Sequence, residues 1–188
     1  PNDSRTPGEW ISRYILHFLP EPGNAKLDYV LLTHFHHDHM GGYETGFRKS
    51  SSGDYLLSGI TEVGENIRFG KIVDRGWPDY ERPSPLKEDY IKNYIAFVKT
   101  KVSSDELSAE RLIVGSDDQF RLIHNPGKYP DFEIRNIAAN GHVWTGTGNN
   151  SRNHFPRDDG SLQNISENMS SIAFRLSYGN FDYFNGGD

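Results

Sequence analysis

The stretch "LLTHFHHDHMGG", Leu31 to Gly42, decides how the rest of the chain is read. Four histidines and one aspartate take five of the six positions from His34 to His39, shortly after an apolar run. In extended backbone, side chains two apart point the same way, so His34 and His36 are expected to face a common point as the chain leaves a strand. Where the chain turns, Asp38 and His39 aim at a second point nearby, and Gly41-Gly42 lets the backbone fold away sharply. Imidazole and carboxylate without thiolate suit Zn2+, one ion or two, with Mn2+ or Fe2+ left open because affinity order alone does not choose the metal. The alternative is a solvated turn that binds nothing. Against it, H-x-H-x-D-H arises by accident in about one chain in a thousand of this length and composition. His37, at the spacer position, is expected to point away from its neighbours.

The rest of the composition narrows the setting. A chain of 188 residues, 35% of them apolar, is long enough for one substantial core, and a single domain is expected. The net charge of -6 runs against a general nucleic-acid binder held by phosphate neutralisation. There is no cysteine, which rules out disulfides, thiolate metal sites and a cysteine nucleophile. No apolar run approaches the roughly 20 residues of a membrane span. The chain opens on Pro1, so an upstream segment is expected to lie outside it.

Outward from the motif, the pattern is mixed α and β. "TPGEWISRYILHFLPEPG" reads as a helix with Thr6 and Glu9 as capping box, Pro7 in the first turn, and Pro20, Pro22 and Gly23 as the stop. Its Trp10, Ile11, Tyr14, Ile15 and Phe18 recur at helical spacing, which predicts one buried stripe. Tyr29 to Leu32 read as a short strand covered on both faces. From Tyr43 to Trp77 the only element expected is a strand at "KIVD". "SPLKEDYIKNYIAFVKT" predicts a second helix with Ser84 as cap and Pro85 at its first position. Its inner face is Leu86, Tyr90, Ile91, Tyr94, Ile95 and Val98. "RLIVGSDDQFRLI" and "FEIRNIA" read as strands, Thr145 to Asn164 as a long polar loop, and "SSIAFRLSYGNFDYFNGGD" as a hairpin turning at Gly179-Asn180 and ending on Asp188.

"THFHHDHMGG" resembles the T-H-x-H-x-D-H-x-G-G signature of the metallo-β-lactamase fold superfamily of dinuclear metal hydrolases. "NMSSIAFRLSYGNFDYFNGGD" is similar to that superfamily's later strand pair, which delivers an aspartate in a G-D dipeptide. Its Asn and Ser opening the strand, and "YG" at the turn, look most like the branch related to the metallohydrolase domain of competence DNA-uptake proteins. The resemblance implies an α/β (α+β) fold of the αββα sandwich type, incomplete at both ends. It makes His34 and His36 ligands of one ion and Asp38 and His39 ligands of the other, with Asp188 bridging. It also calls for a third histidine on the first ion. His142 in "IAANGHVWTG" is the best candidate, with Glu167 as the alternative occupant of that space.

The implied chemistry is activation of water against an ester-like bond, a phosphodiester favoured, with Asp38 also orienting the water or shuttling its proton. The substrate would be a small molecule or a phosphodiester. Trp144 and Phe155 either line a pocket or pack the loop. His154 is expected to face solvent or substrate, and His17 and His124 to be structural, in a helix and a strand. The chain lacks the strand pair that normally precedes the first helix, and the last histidine that normally follows the bridging aspartate. It is therefore expected to be the core of a longer protein. Two rivals follow: a degenerate metal-bearing module that binds a partner without catalysis, and a di-iron redox protein, against which His36 speaks.

Overall fold

The Thr6 hydroxyl accepts the Glu9 amide at 3.2 Å and the Glu9 carboxylate accepts the Thr6 amide at 3.1 Å. This closes the expected capping box and starts α1 (Pro7–Phe18). The computed structural model describes residues 4–19, 22–83, 85–155 and 165–188. Pro20, Ser84 and the second half of the long loop, 156–164, lie outside the described residues.

Among the described residues the protein is a mixed α+β chain with four helices and two sheets. After α1 come β1 (Lys26–Leu31), the one-turn α2 (His37–Met40), α3 (Ile60–Asn66), β2 (Arg68–Asp74), α4 (Asp89–Ser103) and β3 (Ser108–Arg111). Then follow β4 (Glu133–Ala139), β5 (His142–Trp144), β6 (Ser151–Asn153), β7 (Ala173–Tyr178) and β8 (Phe181–Asn185). The chain gathers into two compact units. The first comprises Pro1–Val30, Phe35–Ile72 and Leu86–Ala109, and the second Leu31–His34, Val73–Pro85 and Glu110–Asp188.

In the first unit lies most of a three-stranded sheet of order β1-β2-β3. β1 is an edge strand and its apolar residues are only half-buried, so the expected cover on both faces is not found. α4 supplies the core through Ile91, Tyr94, Phe97 and Val98, with Phe97 edge-on to Tyr55 and Phe69. It begins at Asp89, later than expected, and leaves Leu86 outside the helix; Tyr90 and Ile95 are half-buried. Asn93, on the buried side of α4, both accepts the Leu56 amide at 2.7 Å and donates to its carbonyl at 2.9 Å.

The expected buried stripe of α1 is reversed. Gly8 and Ser12 are its buried residues, while Trp10, Ile11, Tyr14 and Phe18 are exposed. The cause is close helix packing: a Cβ on Gly8 would stand 2.5 Å from Glu62 Oε2 and 2.7 Å from Glu62 Cβ. Glu62, itself buried on α3, accepts from Thr6 Oγ1 at 2.6 Å and pairs with Arg48 at 3.2 Å. α3 was not expected at all, since Gly59 precedes it and Gly64 interrupts its seven residues. Gly64 is there because Phe97 packs where its Cβ would be, 2.5 Å away.

The second unit is an antiparallel sheet of order β6-β5-β4-β7-β8. The hairpin β7–β8 forms as read, with Tyr178 opposite Phe181 and Gly179 at φ +56°. "RLIVGSDDQFRLI" is strand only at its first residue. Beyond it, Ser116 Oγ accepts the amides of Asp118 and Gln119, and Gln119 Oε1 accepts that of Ile113. Side chains that capture the backbone in this way displace a ladder. β6, in turn, lies inside the stretch expected to be loop.

Replacing Gly8 by Val should destabilise the fold by about 1–3 kcal/mol, because backbone and Glu62 must part to admit the branched side chain. Urea titration checks this, and an unchanged midpoint contradicts the packing. Glu65 gives a pH prediction. Burial acts to raise its pKa, but donors from Ser51, Tyr55 and Lys101 outweigh that and hold it at about 2, well below 4.5. With the folded value depressed, its contribution is complete above about pH 4.5 and fades as pH falls toward 2. Glu65→Gln should therefore lower stability at pH 7 and flatten the acid limb of the stability curve; identical limbs would refute the assignment.

Candidate metal centre

Three short segments, distant in sequence, are tied together in the second unit. Leu32 extends the β1 ladder with its amide on the Val73 carbonyl at 3.0 Å, so the chain stays extended into Thr33. The Thr33 carbonyl accepts the Ile172 amide at 2.9 Å, and Ser171 Oγ accepts the Asp188 amide at 3.3 Å. Gly187 makes this last approach possible. It holds φ +64°, and a Cβ there would fall 2.8 Å from Ser171 Cβ and Oγ.

The result is that His34, fully buried, turns its Nε2 to within 3.8 Å of Asp188 Oδ2. That is too long for a hydrogen bond. Two ligands of one tetrahedral ion, each bonded at about 2.0–2.2 Å, stand about 3.4 Å apart, so a small contraction would seat a cation between them. His34 Nδ1 lies 3.2 Å from Thr33 Oγ1; with the Nδ1 proton on that contact, the lone pair of Nε2 faces Asp188. The Asp188 carboxylate is partly open to solvent, which leaves it able to meet both an ion and a substrate. A nitrogen and a carboxylate oxygen aimed at one point, without sulfur, fit a borderline or hard divalent ion.

In the first unit, His36 is half-buried and caps α2 in extended conformation at φ -103°, ψ 148°. The His36 carbonyl accepts the amides of His39 and Met40, which winds the chain into one helical turn. Asp38 and His39 share that turn, their Oδ2 and Nε2 being 3.7 Å apart, and both are exposed. His37 points away as expected, edge-on to Tyr90. Of the glycine pair, Gly41 is the one the backbone demands. Its φ is +104°, and a Cβ would stand 2.8 Å from Gly59 Cα where the two segments cross.

The remaining candidates are placed elsewhere. His142 opens β5 opposite Ala139, exposed, with Nδ1 3.2 Å from Ser151 Oγ across to β6. No group of three metal-ligating side chains among the described residues includes it. Glu167, the alternative, is committed to Arg75 as a bidentate ion pair, Nε donating to Oε1 at 2.6 Å and Nη2 to Oε2. His154 is exposed and His17 lies exposed on α1 against Phe18. His124 is on an exposed turn rather than a strand. The two loop aromatics pack. Phe155 covers Gly141, and Trp144 donates to the Gly148 carbonyl at 2.7 Å under the Arg135 guanidinium.

Reading the sequence alone missed the groups that brace this region. Arg75, buried just after β2, holds Glu167, the Arg82 carbonyl and Asn140 Oδ1. Asn140 returns a bond to the Arg75 carbonyl at 2.7 Å from a left-handed backbone at φ +51°. The adjacent Asp74, fully buried, accepts the amides of Gly76 and Trp77 and the Tyr80 hydroxyl. Burial, together with the charge and hydrogen bond of Asp74, pushes the Tyr80 phenol far above its ordinary value. Arg75 directly follows the "KIVD" strand, and nothing in its spacing marks the arginine as buried.

No protein-family model, no curated protein and no solved structure matches the chain.

Removing one partner of a buried pair leaves an uncompensated charge. Arg75→Met should therefore cost about 3–5 kcal/mol, with part recovered in Arg75→Met/Glu167→Leu. Strictly additive losses in denaturant melts would show that the two side chains do not act together.

Proposed function

We propose that the protein is a metal-dependent hydrolase of the metallo-β-lactamase type, with an αββα fold. Its centre would be built on the H-x-H-x-D-H motif and Asp188. The observation that carries this reading is the approach of the buried His34 imidazole to the Asp188 carboxylate from the far end of the sequence. A buried imidazole facing a carboxylate at ligand spacing is what a cation site requires, and the motif supplies further donors within five residues of His34. The α+β content and the β7–β8 hairpin that delivers Asp188 agree with the proposed family.

In this reading His34 and Asp188 hold an ion; that His36 joins it, that Asp38 and His39 hold a second ion and that Asp188 bridges the two is what the family resemblance implies. Zn2+ is favoured by the nitrogen-rich donor set, and Mn2+ or Fe2+ would also be accepted. His142, exposed and held to Ser151, is not assigned a ligand role. A divalent ion bound there would lower the pKa of a water molecule toward neutrality and polarise an ester-like bond. Asp38, its side chain 65% exposed on α2, is free to accept and pass on the proton of the attacking water. Thr33 would fix the His34 tautomer and Ser171 the position of Asp188. A phosphodiester substrate is favoured by the resemblance to the DNA-uptake branch. The exposed position of His142 supports a second reading: a metal-bearing module without turnover.

Metal analysis together with turnover of bis(p-nitrophenyl) phosphate separates the two. The enzyme should carry at least one divalent ion per chain and lose activity on chelation. His34→Ala should lose both metal and activity, whereas Asp38→Asn should keep its fold and lose about 100-fold or more in rate. Wild-type rate in Asp38→Asn, or a metal-free protein after dialysis against zinc, contradicts the proposal.

A further inference from the structure

We propose that the outward face of α1 docks on an anionic lipid surface. The face is set by sequence. Trp10, Ile11, Tyr14 and Phe18 fall at i, i+1, i+4 and i+8, one stripe of the helix, and they are 41%, 47%, 68% and 66% exposed. Their exposure follows from the packing described above: Gly8 and Ser12 take the inner side, so the large side chains have only the outside left.

The charges around that stripe identify the occupant. Arg5 lies 5.8 Å from the Trp10 ring, and Arg13 and His17 line the same shallow concavity as Trp10, Ile11 and Tyr14. The one acidic residue of α1, Glu9, is engaged in the capping box. On a chain of net charge -6 this face is a local reversal of sign, apolar and aromatic in the middle with guanidinium groups beside it. Tryptophan and tyrosine sit at the headgroup level of a bilayer, and arginine beside them meets lipid phosphate. The helix lies on the surface in this proposal. Its 12 residues extend about 18 Å against a hydrocarbon core of about 30 Å, and no described helix is long and apolar enough to cross a membrane.

A second copy of the chain fits less well. The four exposed side chains offer on the order of 450 Å² per copy, well short of the roughly 800 Å² per partner of a stable interface, and pairing them would gather four arginines. The inference is independent of the metal centre, and none of the substitutions that test it touches the motif.

Co-sedimentation of the intact chain with large unilamellar vesicles tests it, comparing phosphatidylcholine alone with phosphatidylcholine containing about one-third phosphatidylglycerol. The protein should partition onto the anionic vesicles, weakly onto the neutral ones, and release as salt rises. Arg5→Gln and Arg13→Gln should each weaken partitioning about fivefold. Tyr14→Ser/Phe18→Ser should abolish it with unchanged circular dichroism and thermal midpoint, both side chains being outside the core. No binding to the anionic vesicles would overturn the proposal, as would binding that neither set of substitutions alters. So would a dimer in light scattering that Tyr14→Ser/Phe18→Ser converts to monomer, since a second copy would then own the face.

Discussion

A single backbone hydrogen bond, from the Ile172 amide to the Thr33 carbonyl, sets how His34 is placed against the end of the β7–β8 hairpin. It fastens the end of the first strand region to the start of β7 and so brings His34 to the hairpin that ends in Asp188. Neither residue would find the other by local preference. His34 leaves a strand near the beginning of the chain, and Asp188 follows β8, itself exposed along most of its length. Once the two segments are joined, Ser171 captures the Asp188 amide and Gly187 supplies the left-handed turn that the approach needs. A fully buried imidazole and a half-open carboxylate then face each other, the approach on which the proposed cation site rests.

Buried polarity recurs in both units, and at Asp74, Glu62 and Arg75 the cost of desolvation is offset by several hydrogen bonds each. Asp74 accepts three donors, Glu62 accepts from Thr6 and Arg48, and Arg75 spends its guanidinium on Glu167, Asn140 and the Arg82 carbonyl. These groups specify geometry more than they add stability. Arg75 and Asn140 pin the chain at the end of β2 to the β4–β5 turn, and through Glu167 to the segment that enters β7. Since Ile172 stands in that segment, directly before β7, this network supports the same bond on which the His34–Asp188 approach depends.

The parts of the fold that could be read from the sequence are those decided within a few residues. The capping box of α1, the β2 strand, and the β7–β8 hairpin with Gly179 at its turn each depend on neighbours along the chain. What could not be read depends on contacts from afar. The periodicity of α1 locates an apolar stripe but not its direction. Gly8 faces Glu62, more than fifty residues later, and this sends Trp10 and Tyr14 outward. α3 is short and bounded by glycine, so no period betrays it, and the stretch after β3 has strand-like residues whose backbone is taken by Ser116 and Gln119. At the site, the spacing of the histidine motif and the G-D ending pointed to His34 and Asp188, which do converge. The position of His142 after a strand suggests a ligand, but a two-residue turn at Asn140-Gly141 carries it to the exposed hairpin, beside Ser151.

The central claim is that His34 and Asp188 are ligands of one cation. An anomalous difference map recorded at the zinc edge, from crystals grown with millimolar zinc, tests it without reference to any substrate. The account predicts a peak about 2.0–2.2 Å from both His34 Nε2 and Asp188 Oδ2. A map with zinc bound only elsewhere, or with His34 and Asp188 drawn together by a direct hydrogen bond and no ion between them, would contradict it.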